Sequence, residues 1–188
     1  VTLLHGVTSS GKTEVYIHLI EETIKQGKQV LYLVPEIALT TQLTDRLQAV
    51  FGKQLLVYHS RFSNAERVEI YREVRGEKVI LGARSAIFLP FKDLGLIIVD
   101  EEHEPSYKQQ DPAPRYHARS AAIMMASWYG AKVLLGTATP SVESYHNAMS
   151  GKYGLVEMRE RFKGLQLPKI TLVDLQRQYH RKEMYGHF

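Results

Sequence analysis

The segment Gly6-Val7-Thr8-Ser9-Ser10-Gly11-Lys12-Thr13 fits the pattern G-x-x-x-x-G-K-[ST], and it dictates the architecture around it. An apolar run over 1–5 precedes it. A run of helical period over 12–26 follows, with Val15, Leu19, Ile20, Thr23 and Ile24 expected on the buried face. Strand, tight loop and helix in that order aim several backbone N–H groups, and the positive end of the helix, at one point. Such a point receives phosphate oxygens. The Lys12 ammonium can reach the outer phosphates, and the Thr13 hydroxyl can ligate Mg²⁺. The candidate nucleotide-binding set is Gly6, Val7, Thr8, Ser9, Ser10, Gly11, Lys12, Thr13 and the adjoining Glu14.

The rest of the chain alternates in the same way. Strands are expected over 29–34, 55–58, 79–81, 96–99 and 132–135, with less regular strands over 155–158 and 170–173. Helices are expected over 38–51, from the capping-box pattern Ser63-Asn64-Ala65-Glu66 to Arg75, and over 116–129 and 141–149, several of them closed by glycine. Short, continuously apolar strands separated by helices predict an α/β fold with a mostly parallel sheet covered on both faces. In such sheets ligands bind at the carboxyl ends of the strands.

The polar motifs fall at those ends. The run 96–99 leads into Asp100-Glu101-Glu102-His103. Three consecutive carboxylates repel one another unless a cation is close, and a magnesium-bound nucleotide supplies one. Asp100 is the expected metal partner together with Thr13, and Glu101 the expected base that orients an attacking water. The catalytic candidates are thus Lys12, Asp100 and Glu101. His103 is placed to sense the terminal phosphate or to link this loop to the next. Thr137 and Thr139, in Gly136-Thr137-Ala138-Thr139-Pro140-Ser141, can hydrogen-bond the acidic loop and pass a nucleotide-dependent shift along, although the same residues also make a good helix start. Arg84 and Ser85 follow the fourth strand and suit a sugar–phosphate backbone, with ordinary helix capping as the competing reading. The stretch 104–119 mixes Tyr107, Tyr116 and His117 with Lys108, Arg115 and Arg119. Aromatics among cations suit stacking on unpaired bases, at about 1–3 kcal/mol per base. The alternative is a surface loop whose tyrosines pack on the domain.

Composition excludes several classes. The 188 residues contain no cysteine, so a disulfide scaffold or a cysteine zinc site is excluded for this stretch, and a reducing, cytoplasmic setting is expected. No apolar run approaches the length of a membrane span, and no partner membrane is expected. Residues 159–188 carry seven basic and three acidic side chains, while 1–158 carry seventeen of each. The basic excess is therefore terminal, facing either a polyanion or solvent. The abrupt start inside a strand predicts one lobe of a longer protein, with 1–175 as the lobe and 176–188 as a tail toward a second one.

Taken together and in order, these motifs resemble the first motor lobe of superfamily-two helicases. The runs GVTSSGKTEVY, LVPEIALTTQ, GARSAIFLP, DEEHEPSYKQQ, RYHAR and GTATPS are similar, more closely still, to the bacterial primosomal replication-restart helicases. The resemblance covers nearly the whole chain. It implies a RecA-like P-loop NTPase lobe, a three-layer αβα sandwich, that uses ATP and Mg²⁺. It implies an enzyme that moves 3′ to 5′ on DNA, acts on single-stranded and forked DNA, and works with primosome and single-strand-binding proteins. It places Lys12, Thr13, Asp100 and Glu101 in the ATP–Mg²⁺ site. It makes 107–119 the aromatic-rich loop that couples DNA contact to hydrolysis. Ser9 stands where that family usually has glycine, Thr137 where serine is more usual, and 111–114 lacks the tryptophan or phenylalanine that some members carry. The family's fork-binding domain, second motor lobe and cysteine-rich zinc module have no counterpart in these residues. Two other classes remain open on the residues alone: a nucleotide-dependent binding switch or translocase that does not unwind, and a phosphotransferase, against which the acidic and Thr-Ala-Thr motifs speak.

Overall fold

The computed structural model describes residues 1–59, 62–76 and 78–161. The strand expected over 170–173, the basic tail beyond 161 and the division at 175/176 lie outside the described residues. In chain order the elements are β1 (Thr2–Gly6), α1 (Lys12–Lys25), β2 (Gln29–Leu33), α2 (Thr41–Phe51), β3 (Leu55–Tyr58), α3 (Asn64–Glu73), β4 (Val79–Gly82), β5 (Leu94–Asp100), α4 (Ala118–Tyr129), β6 (Lys132–Thr137), α5 (Val142–Met149) and β7 (Gly154–Met158).

The strands form one sheet in the order β3-β4-β2-β5-β6-β1-β7. Every pairing in it is parallel. Side chains alternate between its two faces because successive residues of a strand point opposite ways. Leu4, Val30, Tyr32, Leu96, Ile98 and Leu134 pack with Tyr16, Ile17 and Ile20 of α1 and Leu47 and Phe51 of α2. Leu3, Leu31, Leu33, Ile97, Val99, Val133 and Leu135 pack with Ile70 of α3 and Ala118, Ala122, Met125 and Ala126 of α4. The result is a three-layer αβα sandwich whose central strands β2 and β5 are apolar on both faces, as a parallel sheet requires.

Two expectations need correcting. The buried face of α1 is centred on Tyr16, Ile17 and Ile20, and Val15, Leu19 and Ile24 only flank it. A long amphipathic side chain such as tyrosine buries its ring while its hydroxyl finds a polar partner. The second helix does not begin at residue 38. A short 3₁₀ turn, Glu36–Ala38, follows Pro35, and α2 starts only after Thr40, whose hydroxyl accepts a hydrogen bond from the Leu43 N–H at 3.3 Å. The capping box at Ser63 forms as expected, with the Ser63 and Glu66 side chains each bonded to the other's backbone N–H.

Candidate nucleotide site

Strand order decides which loops meet. β6 lies between β1 and β5, so the loop after β1 and the acidic run after β5 are two strand spacings apart, about 10 Å. The two loops enclose one cavity of ≈ 430 Å³, lined by Thr8 through Glu14, Arg46, Asp100 and Glu101. That size falls in the range of small-molecule sites. Gly6 and Val7, expected among the contacts, do not line it. They stand behind it: the Gly6 carbonyl accepts from Lys12 Nζ at 2.9 Å, and the Val7 N–H donates to the Met158 carbonyl of β7 at 3.1 Å.

The loop's backbone is shaped for an anion. Gly11 occupies the cap position of α1 with φ 89° and supplies no side-chain cap, so the Lys12 and Thr13 N–H groups keep their capacity for a ligand, while the Glu14 N–H donates to the Gly11 carbonyl at 3.0 Å. Ser9 has φ 65°, the left-handed region that glycine occupies freely and that costs another residue about 1 kcal/mol. Position 6 is crowded from the loop side: a Cβ there would lie 2.7 Å from Ser10 Oγ and 3.0 Å from Lys12 Cγ, so both side chains would have to shift. Ser10 Oγ is itself enclosed and has no hydrogen-bond partner among the described residues. An orphaned hydroxyl, uncapped N–H groups and a lysine turned back onto its own loop all fit a phosphate chain. Arg46, contributed by α2, pairs with Glu14 at the mouth of the cavity; nothing in the local sequence around 46 pointed to it.

Asp100 ends β5 inside a cage of tyrosines. Its Oδ1 accepts from the Tyr16 hydroxyl at 2.9 Å and the Glu101 N–H at 3.1 Å. Its Oδ2 accepts from the Tyr32 hydroxyl at 3.2 Å. Burial pushes the Asp100 carboxyl above the usual carboxylate range, and the Tyr16 bond, the Glu101 N–H and the Lys12 charge only partly oppose it. A buried carboxylate in this position favours a cation beside it. Magnesium is commonly held by one or two carboxylates together with substrate phosphates and water, and Asp100 with Thr13 on the facing loop fits that donor set. Glu101, at φ 47°, turns away from the strand into the same cavity. Burial, then the neighbouring Asp100 charge, raise its carboxyl as well, which suits a proton acceptor or water-orienting group.

The acidic run is tied to the loop after β6. His103 Nδ1 lies 2.8 Å from Thr137 Oγ1 and 3.7 Å from Glu101 Oε2, and its Nε2 lies 3.4 Å from Thr139 Oγ1. The three residues expected to couple the loops are thus brought together. Glu102, the member with no assigned role, is fully buried. It accepts from Arg119 Nη1 at 2.6 Å, the Ser141 N–H at 2.7 Å and the Ser144 hydroxyl at 2.8 Å. Burial alone would raise its carboxyl; the Ser141, Ser144 and Arg119 donors together outweigh that and hold it below the usual range.

The stretch after the acidic run corrects two expected DNA contacts. Tyr107 is fully buried. Its hydroxyl donates to the Leu33 carbonyl at 3.1 Å and the Asp100 carbonyl at 2.6 Å, because the 3₁₀ turn Pro105–Tyr107 rolls the ring under the sheet edge. Arg119 is committed to Glu102 and to the Ser141 hydroxyl at 2.6 Å. Neither side chain is presented to a nucleic acid. Arg84 clamps the loop by donating to the Ser106 and Lys108 carbonyls at 3.0 and 3.2 Å, and Lys108 Nζ donates to the Arg115 carbonyl at 3.0 Å. His117 occupies the cap position of α4, half-buried; burial, then Arg119 and Lys108, hold its imidazole below the ordinary range. Arg115 is exposed, and Tyr116 packs edge-on against the exposed Phe88 with ring centres 4.7 Å apart. Beside them a second cavity of ≈ 470 Å³ runs along the same sheet edge, lined in part by Arg84, Ser85, Gln109 and Pro112.

A parallel αβα lobe with a phosphate loop after its first strand, facing an acidic strand end across one intervening strand, has the layout of nucleotide-driven helicase lobes. The chain belongs to the DEAD/DEAH box helicase family, whose model matches residues 1–148. It is 48% identical over 177 residues to the replication restart protein PriA of Bacillus subtilis, covering 93% of this chain and 22% of that protein. It is 45% identical over 186 residues to the PriA of Rickettsia conorii, covering 98% of this chain and 28% of the relative. The chain therefore spans about a quarter of the length of these relatives. Among solved structures it resembles RecG bound to a three-way DNA junction, with TM-score 0.64, 21% identity and coverage of 97% of this chain and 24% of that one. It also resembles the Hef helicase domain of Pyrococcus furiosus, with TM-score 0.61, 20% identity and coverage of 87% and 36%. These neighbours share the α/β fold of RecA-like helicase domains.

Proposed function

We propose that this chain is the ATP-binding first motor lobe of a replication-restart DNA helicase of the PriA type, moving 3′ to 5′. The observation that carries the reading is the shared cavity into which Lys12, Thr13, Asp100 and Glu101 converge. Lys12 exchanges its bond to the Gly6 carbonyl for the outer phosphates of ATP. Thr13 and Asp100 would hold magnesium, which when bound would neutralise phosphate charge. Glu101 orients the attacking water and takes its proton. His103, against Thr137 and Thr139, carries the resulting change toward the DNA side of the lobe. Arg84, Ser85, Lys108, Arg115, Tyr116 and His117 form the rim along which a single strand lies, read through its backbone and by stacking rather than by base edges.

Single-stranded and forked DNA are the proposed substrates, primosome and single-strand-binding proteins the proposed partners, and the cytoplasm the proposed location. Among the described residues no helix is long and apolar enough to cross a membrane. Motors of this type complete their site with an arginine from a second lobe, worth about 10³–10⁵ in rate. These residues alone should therefore bind nucleotide weakly and hydrolyse it poorly. The test is ATP turnover stimulated by single-stranded DNA, with fork unwinding, by the protein carrying both lobes. Turnover without strand displacement would make the protein a translocase or switch. Unchanged unwinding by Lys12→Ala would remove the motor reading altogether.

A further inference from the structure

Tyr16 lies one helical turn beyond Lys12, on the same helix, and its ring is fully buried. Tyr32 comes from β2, is equally buried, and meets Tyr16 edge-on with ring centres 5.5 Å apart. Their hydroxyls divide one carboxylate between them, Tyr16 on Asp100 Oδ1 at 2.9 Å and Tyr32 on Oδ2 at 3.2 Å. With the Glu101 N–H also on Oδ1, three of the roughly four acceptor positions of a carboxylate are filled. The one left is on Oδ2. The sheet makes room for this arrangement: at Gly136, opposite Asp100 in register, a Cβ would come within 1.7 Å of the Tyr16 hydroxyl.

We propose that Tyr16 and Tyr32 are positioning residues for the metal site, fixing the Asp100 carboxylate so that Oδ2 alone remains for magnesium or its water. Tyr16 also makes the geometry common to both loops, since the helix that begins with the phosphate-binding lysine holds the metal-binding carboxylate four residues later. This rests on the proposed nucleotide function. A purely structural role would satisfy the buried hydroxyls equally well but would have no connection to magnesium.

The experiment is a titration of the protein carrying both lobes, and of its Tyr16→Phe and Tyr32→Phe variants, with a fluorescent ADP analogue. Each is measured in excess EDTA and across a magnesium series. Each variant is first checked for cooperative thermal unfolding, and either one carries the test if the other does not fold. The expected result is unchanged affinity in EDTA and an increase of about tenfold in the magnesium concentration for half-saturation, the scale of losing one hydrogen bond to a charged group. An unchanged magnesium requirement overturns the proposal, as does an equal loss of affinity with and without magnesium. If the parent two-lobe protein itself shows no magnesium-dependent nucleotide binding, the nucleotide function fails, and the inference falls with it. A magnesium-sensitive parent with insensitive variants sinks the inference alone.

Discussion

Replacing Gly136 with alanine tests how tightly the two halves of the site are joined. The added methyl would sit 1.7 Å from the Tyr16 hydroxyl and 2.8 Å from its Cζ, so the ring must leave Asp100 or the strand must move. Overpacking a core position costs about 1–3 kcal/mol. Losing a hydrogen bond to a charged group adds about 1.5–3 kcal/mol. The single variant should therefore lose about 3–5 kcal/mol. For a chain of this size 1 kcal/mol corresponds to about 2–4 °C, so its midpoint should fall by roughly 10 °C. In a Tyr16→Phe background the offending oxygen is gone and its bond is already lost. Only the milder contact with the ring remains, and the alanine should then cost about 1–2 kcal/mol. The double-mutant cycle, read by calorimetry or urea unfolding without nucleotide, should give a coupling of about 2 kcal/mol. Costs that add to within about 0.5 kcal/mol would refute the argument, because Gly136 and Tyr16 would then not be competing for one space.

Other perturbations act on separate parts of the site. Lys12→Ala in the full-length protein should abolish unwinding while leaving fork binding largely intact, measured by strand displacement and by gel shift on one preparation. Ser9→Gly removes the cost of holding a Cβ at φ 65° and should raise the unfolding midpoint of the nucleotide-free lobe by about 2–4 °C, seen by calorimetry. Glu102→Gln should be destabilising at neutral pH, by about 2–3 kcal/mol, since it leaves the partly buried Arg119 with only the exposed Glu143 carboxylate, 4.0 Å away, as a charge partner among the described residues. The folded carboxyl of Glu102 lies below its unfolded value, so its contribution is present above about pH 4.3 and is lost as pH falls through the folded value. The gap between parent and variant, followed by urea unfolding, should narrow in acid; a gap that widens would contradict the assignment. Tyr107→Phe removes the one hydroxyl proton shared by the buried Leu33 carbonyl and the partly buried Asp100 carbonyl and should cost about 1–3 kcal/mol without altering single-strand affinity in a fluorescence titration.

Much of this lobe is legible along the chain. The phosphate loop, the acidic run and the glycine-closed helices are local patterns within a dozen residues, and their elements form as expected apart from the starts of α2 and α4, which come a few residues late. The errors are instructive. Tyr107 and Arg119 read as nucleic-acid contacts because aromatics and cations in a proline-bearing stretch are usually exposed. Both instead turn inward, one to the carbonyls of two neighbouring strands and the other to Glu102. Tyr16 carried a signal that could have been read, since four residues after Lys12 it must share a helix face with it. Arg46 and Ser144 carried none, because each is polar, helical and unremarkable within its own segment.

The residues by themselves determined that strands and helices would alternate, that the strands would lie parallel and covered on both faces, and that a glycine-rich loop and an acidic run would each stand at the carboxyl end of a strand. These follow from periodicity, chain stiffness and the few conformations a short loop can take. Only the tertiary structure decided that β6 lies between β1 and β5, and therefore that Tyr16 meets a carboxylate 84 residues away and Glu102 meets a serine 42 away. Strand order is set by how whole faces pack, a sum over many weak apolar contacts that no short stretch encodes. Which buried polar groups find one another is settled only after that sum is made.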